Sequence, residues 1–417
     1  MKLITICYYK GEDILKGEGS MNYLVIGVGA IGSVIAKDLA EAENTNKVGL
    51  GDINLEFAQE LEAEIGEKSK AIHIDIYDEK ILRNAIKDYD LVVNATGPFY
   101  KTAQYVLEAC IAEGIDYVDV ADDSAAVELL LTYDDKCKEA GITALICQGV
   151  SPGTTNVLAL LGSKQLDQTD VIHTNWIVSQ VSEANDERSA GSTLYHALEM
   201  STGTNPQFLD GEMVEVESAT GTKKVQFNAP VEPYPVHYLG HGEPLTLARN
   251  IPGVQTVTNR GNLWPAASDV ANLKVFEAIG LAANDPIDVN GVEVNRRDIV
   301  FALMQEKPKA DPREIEGADE VESQVHVEVT GKKDGKELTY EYTVGAEMNA
   351  STGLSASYGA QAVAQATEKK TGVLAPEEYI EIKPYLQFLT DKGFEFYLTV
   401  TEDGIKSDKT LVDIQTL

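Results

Sequence analysis

Three glycines and a distant acid carry the first chemical signal in this chain. Residues 23–32 read Tyr-Leu-Val-Ile-Gly-Val-Gly-Ala-Ile-Gly, and Asp52 ends the next apolar run twenty residues after Gly32. In that spacing Gly27 permits a tight turn out of a strand, Gly29 has no side chain to block a pyrophosphate, and Gly32 lets the following helix pack closely on the sheet. The N–H groups that open the helix, around Ala30 and Ile31, face the phosphates, and Asp52 reaches the ribose. These residues predict a site for NAD. The competing reading is a glycine turn inside some other α/β unit.

Further polar residues fall where neighbouring strands end. Asn94-Ala95-Thr96-Gly97 closes one strand directly before a helix, so the loop can lie along the ribose and nicotinamide. Asp75 closes another strand and either meets the adenine end or caps the next helix. A third strand delivers Asp119, Asp122 and Asp123 to the same edge. Three carboxylates beside a pyrophosphate repel one another unless cations pair with them or protons neutralise them, which suits an amine. Asp122 is expected to hold the reacting nitrogen and Asp119 and Asp123 to bind substrate, although Asp122 or Asp123 could be an ordinary helix cap.

A fourth strand runs into Ser151-Pro152-Gly153-Thr154-Thr155-Asn156. N–H groups at the start of the helix that follows could bind a carboxylate or the amide edge of the nicotinamide. Ser151, Pro152 and Gly153 are therefore expected at the cofactor, and Thr154 and Asn156 at the substrate; capping around a proline explains the same residues more simply. Farther on, helical spacing places Ser192, Tyr195, His196 and Glu199 on one face. Tyr195 or His196 could carry a proton, with Arg188 as a carboxylate clamp, unless this is only a solvated helix face. Glu243 and Arg249 could recognise an ammonium and a carboxylate. His237 reads as a half-buried strand histidine, and no histidine or cysteine spacing predicts a metal site.

The elements that must position these groups follow from apolar patterning. Short β-branched runs alternate with helical patterns from Tyr23 to Cys147, which predicts a doubly wound, parallel, Rossmann-type α/β sheet with all strand carboxyl ends on one edge. After Ser151-Pro152-Gly153 the runs lengthen and alternate with period two, as expected of a second α+β domain with a mainly antiparallel sheet. The expected division is an extension over 1–20, a dinucleotide-binding domain over 21–150, a second domain over 151–350, and a segment over 351–417 that could run back to the dinucleotide domain.

Composition limits the partners. With 34 Lys and Arg against 67 Asp and Glu, the formal charge of −33 argues against nucleic acid and anionic membrane. No apolar run is long enough to span a bilayer. Four widely spaced cysteines show no secreted framework, so a reducing, cytoplasmic setting is expected.

Gly27-Val28-Gly29-Ala30-Ile31-Gly32, Asn94-Ala95-Thr96-Gly97-Pro98-Phe99, Ala109-Cys110 with Gly114-Ile115-Asp116-Tyr117-Val118-Asp119, and Gly149-Val150-Ser151-Pro152-Gly153-Thr154-Thr155-Asn156 together resemble the saccharopine dehydrogenase family. The resemblance spans Met21 to about Leu161 well and the remainder loosely. It implies a dimerising enzyme, expected to be a homodimer, that dehydrogenates a carbon bearing nitrogen in a small molecule. The expected substrate is an amino acid or an opine-like secondary amine, oxidised through an imine. The alternatives are a lysine-type amine dehydrogenase, a carboxynorspermidine-type polyamine synthase and, from a different class, an NAD-sensing regulator without turnover. Asp52, where a basic or hydroxyl residue would suit the extra phosphate, favours NAD over NADP.

Overall fold

The computed structural model describes residues 20–179, 198–228, 232–264, 269–283, 285–306, 321–345 and 347–417. Arg188, Tyr195, His196 and all of the expected extension except Ser20 lie outside them.

The first unit is built on β1 (Met21–Ile26), β2 (Thr45–Asp52), β3 (Ser69–His73), β4 (Leu91–Asn94), β5 (Asp116–Asp119) and β6 (Thr143–Leu145). Between them run α1 (Ala30–Glu41), α2 (Leu55–Ile65), α3 (Glu79–Ile86), α4 (Phe99–Glu113), α5 (Ser124–Leu131) and α6 (Asp134–Ala140). All four residues of β4 are buried, as expected for a parallel sheet covered on both faces. The strand order β3-β2-β1-β4-β5-β6 reverses between β1 and β4, which opens a crevice there at the carboxyl ends. Helix ends follow local chemistry: Asn54 and Asp78 accept N–H groups at the starts of α2 and α3, and Gly114 closes α4 in the left-handed region at φ 70°.

The second unit opens with α7 (Thr154–Ser163) and β7 (Gln168–Ser179), followed by β8 (Thr204–Leu209), β9 (Glu212–Glu217), β10 (Lys223–Val225) and β11 (Tyr234–Tyr238). Then come α8 (Glu243–Asn250), β12 (Thr256–Trp264), α9 (Lys274–Ala278), a hairpin of β13 (Pro286–Val289) and β14 (Val292–Asn295), α10 (Arg296–Glu306), β15 (Gln324–Lys333) and β16 (Lys336–Gly345). The sheet is mainly antiparallel, with β7 and β12 running parallel at its centre. Val325, Val327 and Val329 alternate inward from β15 and bury one face of that sheet. At Gly162 on α7 a Cβ would stand 2.8 Å from a Val329 methyl, so helix and sheet meet closely.

The chain then passes through α11 (Met348–Ala364), which is buried on nearly every side and rests on α1. Gly353 permits that approach, since a Cβ there would lie 2.6 Å from Val34 Cβ. Asp38 of α1 accepts the Ser357 hydroxyl at 2.5 Å and pairs with Lys392. Next, β17 (Gly372–Leu374) adds a seventh parallel strand beside β6. After α12 (Pro376–Tyr379) and α13 (Ile382–Asp391), β18 (Phe396–Glu402) pairs antiparallel with β16 in the second sheet. Helix α11, β17 and Lys392 therefore meet the dinucleotide unit, and the expectation for 351–417 needs correction from Phe396 onward, where β18 covers an edge of the second sheet.

Candidate active site between the two domains

The glycine turn has the geometry that a dinucleotide needs. Gly27 adopts φ 86°, and a Cβ there would stand 2.7 Å from the Ala95 carbonyl oxygen. A Cβ on Gly32 would stand 1.8 Å from the Gly27 carbonyl oxygen, so a side chain there would push the helix off the turn. Gly29 holds the N-cap position of α1, followed by half-buried Ala30 and Ile31. From the end of β2, the Asp52 carboxylate accepts the Val28 N–H at 2.9 Å and the Asn54 N–H at 2.8 Å. This fixes the acid against the turn while leaving a lone pair on each oxygen for a ribose hydroxyl. Asp75 accepts the Tyr77 N–H at 3.0 Å, and the cap of α3 is Asp78 instead.

Buried Asn94 shapes the loop after β4: its Oδ1 accepts the Thr96 N–H at 3.1 Å and hydroxyl at 2.5 Å, while its Nδ2 donates to the Tyr117 hydroxyl at 3.1 Å. The Ala95 N–H donates to Ile26 O at 2.7 Å, which locks the loop beside the glycine turn. Thr96 and Gly97 stay half-buried at the crevice.

The three aspartates after β5 separate in role. Asp119 is fully buried and accepts N–H groups from Ala121 and Cys147, at 3.0 and 2.8 Å, and the Tyr117 hydroxyl at 2.8 Å. Burial pushes its pKa up to about 6 against those hydrogen bonds. It ties β5 to β6 from inside the sheet, so the expectation that it binds substrate is corrected. Asp123 is the cap: its Oδ1 accepts the Ala126 N–H at 2.9 Å and its Oδ2 the Tyr100 N–H at 3.3 Å. Its backbone bridges His241 of the second unit. Asp122 is half-buried between them.

The Gly149 to Asn156 loop is not an open cradle. Gly153 N–H donates to Asn156 Oδ1 at 3.1 Å, and the Thr154 and Thr155 N–H groups donate to the Gly149 and Val150 carbonyls, each at 3.0 Å. The side chains are used as well. Thr154 meets the Tyr385 hydroxyl at 2.6 Å, and Asn156 donates to Thr246 at 2.9 Å and Glu377 at 2.7 Å. Thr154 and Asn156 are therefore clasps inside the domain joint and not substrate contacts, a correction to the sequence reading; Pro152 and Gly153 are buried with them. Ser151 donates to Glu243 at 2.5 Å. Glu243 is fully buried and also accepts from Thr155 at 3.0 Å and meets His241 Nδ1 at 3.2 Å. It is occupied in the same joint, which corrects its expected role toward an ammonium. Arg249 is corrected too, because it lies exposed in the last turn of α8, in the field of Asp134 and away from the cavity described next.

Between α5 and the second unit lies a cavity of about 480 Å³. Among the described residues its ionisable lining is Asp123, Glu128, Glu199, Glu215, Glu277 and Arg297. Burial, followed by the nearby Glu215, raises the pKa of Glu128. Arg297 pairs with Glu199, and the Glu277 carboxylate accepts the Gly203 N–H at 3.1 Å. Five acids against one guanidinium favour a ligand carrying more than one positive charge. Of these six, the sequence pointed to Asp123 and to the Glu199 face. Arg297 and Glu277 gave no signal beyond ordinary helix charge.

Residues 23–145 match the family model described as the saccharopine dehydrogenase NADP binding domain, and residues 149–394 match the saccharopine dehydrogenase C-terminal domain. A carboxyaminopropylagmatine dehydrogenase from Synechocystis sp. is 25% identical, with 90% of this chain and 97% of that protein aligned. A carboxynorspermidine synthase from Vibrio alginolyticus is 24% identical, with 92% and 98% aligned. Saccharopine dehydrogenase (L-Glu forming) from Saccharomyces cerevisiae shares the fold at a TM-score of 0.63 and 17% identity, covering 94% of this chain and 100% of that one.

Proposed function

The chain belongs to the saccharopine dehydrogenase family, and on that footing we propose that it is an NAD-linked dehydrogenase acting on the C–N bond of an amino-acid-derived secondary amine carrying additional amino groups. The observation that carries this reading is the acidic cavity at the cap of α5, whose Asp123 also accepts the Tyr100 N–H at the start of α4. A polyamine-like chain brings positive charges to those carboxylates, whereas a simple dicarboxylic opine brings mainly repulsion. The names of the two curated relatives point the same way.

NAD in preference to NADP is part of the proposal, although the matching family model bears the name NADP. Asp52 holds a negative charge where a 2′-phosphate would lie, and no lysine or arginine occurs between it and Lys68. When bound, the nicotinamide exchanges a hydride with the carbon next to the substrate nitrogen. The chain's residues must orient that carbon and manage one proton, because a protonated amine has no lone pair with which to form the imine. The wall acids hold the distal ammonium groups, and Asp122 and Asp123 lie nearest the end of β5. Tyr195 or His196 remains our proposal for the proton, supported by their positions four and three residues before cavity-lining Glu199. A cytoplasmic homodimer belongs to the same reading; the buried free cysteines among the described residues, Cys110, Cys137 and Cys147, support the location, and analytical ultracentrifugation tests the pairing.

The test is absorbance at the NADH band with the full chain, NAD or NADP, and carboxylated polyamines, saccharopine, lysine and opines, in both directions. NADH formation with a carboxylated polyamine, or its consumption with the corresponding aldehyde and diamine, is the expected result. Tight NAD binding without redox change across the panel would overturn the enzyme reading in favour of a sensor.

A further inference from the structure

Arg297 stands apart from every residue assigned from the sequence. Among the described residues it is the one cation lining the cavity, set against five carboxylates. It is the second residue of α10, where Asn295 accepts its backbone N–H at 2.9 Å. Its side chain is only 7% exposed. A guanidinium withdrawn from water needs acceptors around it. Two are present: Nε donates to the Ala282 carbonyl at 2.5 Å, and Nη1 donates to Glu199. A guanidinium carries five N–H donors in a planar fork, so these two bonds leave three, one of them directed at the Tyr100 phenol. Close by is Tyr100, whose phenol is raised by burial and by Glu199 and lowered by Arg297. The other neighbour is the cavity itself.

The pair with Glu199 does not account for this placement alone. A structural ion pair could sit anywhere along α10, yet this one lines the same cavity as Asp123, the cap at the carboxyl edge of the cofactor sheet. A carboxylate entering so acidic a space would be repelled by every other ionisable group there. Arg297 reverses that sign at one point.

We infer that Arg297 recognises the carboxylate of the substrate's amino-acid head group, taking it in the guanidinium fork while the surrounding acids take the ammonium groups. The assignment rests on reading the cavity as an amine site and deepens it. It makes the cavity selective for an amino acid over the plain amine with the same chain. The physical basis is the charge-assisted, two-pronged geometry of arginine with carboxylate, which a lysine at the same position would not reproduce.

The experiment measures calorimetric binding to the full chain, with NAD present, of three pairs that differ only by a carboxylate: lysine and 1,5-diaminopentane, ornithine and 1,4-diaminobutane, and 2,4-diaminobutyrate and 1,3-diaminopropane. The expected result is a preference of about 10- to 100-fold for the carboxylated member of at least one pair. R297Q should remove it and R297K should restore only part, with NAD affinity and melting temperature held as controls of folding. If R297Q melts early, E199Q serves as the second variant: it keeps the guanidinium, frees one of its donors, and should leave the preference intact or larger. Absence of preference in all pairs, or its survival in R297Q, would overturn the assignment. An Arg297-dependent preference without any NADH formation would leave the assignment standing and remove the dehydrogenase reading; amine oxidation without preference would do the opposite.

Discussion

Replacing Asp119 by Asn should change how stability depends on pH, by an amount the structure allows to be worked out. Burial raises this carboxyl from 3.8 to about 6. Each unit is worth about 1.4 kcal/mol, so the full effect is about 3 kcal/mol. The folded state holds the proton more tightly than the unfolded chain does. The stabilisation is therefore complete below the unfolded value near 3.8, is lost as pH rises through about 6, and stays lost above that. About half of the loss falls above pH 5, which allows measurement clear of the sequence pI of 4.5. Asparagine removes the titration. Its Oδ1 can still accept the Ala121 and Cys147 N–H groups, but its Nδ2 faces the Tyr117 hydroxyl, which already accepts from Asn94 and loses its own acceptor. That mismatch costs about 1–3 kcal/mol at any pH. Urea unfolding of both proteins should show D119N clearly weaker at pH 5 and gaining on the parent by about 1.5 kcal/mol by pH 7.5. A difference that stays level across this range would refute the assignment of Asp119 as a buried, proton-holding tie between β5 and β6.

Three further outcomes are expected. Gly27→Ala forces φ 86° on a residue with a Cβ that meets the Ala95 carbonyl; strain of about 1–3 kcal/mol should weaken NAD binding roughly tenfold or more by calorimetry while the second domain melts normally. Asp52→Ser should narrow the gap between NAD and NADP in KM, chiefly by improving NADP, and an unchanged ratio would show that the acid does not select the cofactor. Gly353→Val drives a side chain into Val34 at the α1–α11 contact and should destabilise the fold by about 1–3 kcal/mol in denaturant, with no change in substrate KM for the fraction that remains folded.

What the sequence made legible was set by local sterics. Gly27 and Gly32 announce themselves because no other residue fits within 3 Å of a backbone carbonyl, and that requirement appears as spacing. The parallel strands were readable because burial on both faces leaves apolar runs. The three residues of β17 were not, since Gly-Val-Leu has no period to detect and is held by β6 from more than two hundred residues away. Within the site, sequence reasoning took a helix start for an open set of donors at Thr154 and Thr155, but the Gly149 and Val150 carbonyls fold back and take those N–H groups. Arg249 and Arg297 look alike in sequence, each charged and on a helix. Only tertiary packing turns the first to solvent and the second into the cavity.

The same buried contacts explain why that cavity keeps its shape. Asn156 opens the second unit, Asn250 ends α8, and Glu377 follows β17, so one carboxylate gathers three distant stretches of chain. Burial raises its pKa while the two asparagine amides oppose the rise. Glu243 performs the parallel task from α8, joining Ser151, Thr155 and His241. His241 in turn bridges Asp123 at the cavity wall and stacks on Trp176 at 5.2 Å. The seventh strand is thus more than an extension of the first sheet. By leading into α12, which carries Glu377, it fixes the joint on which α8 and the Gly149 to Asn156 loop rest, and the position of the cap of α5 relative to the acids of the second unit follows from that joint. The selectivity proposed for Arg297 needs such stiffness, because electrostatic discrimination at contact distance decays as soon as the charges can move apart.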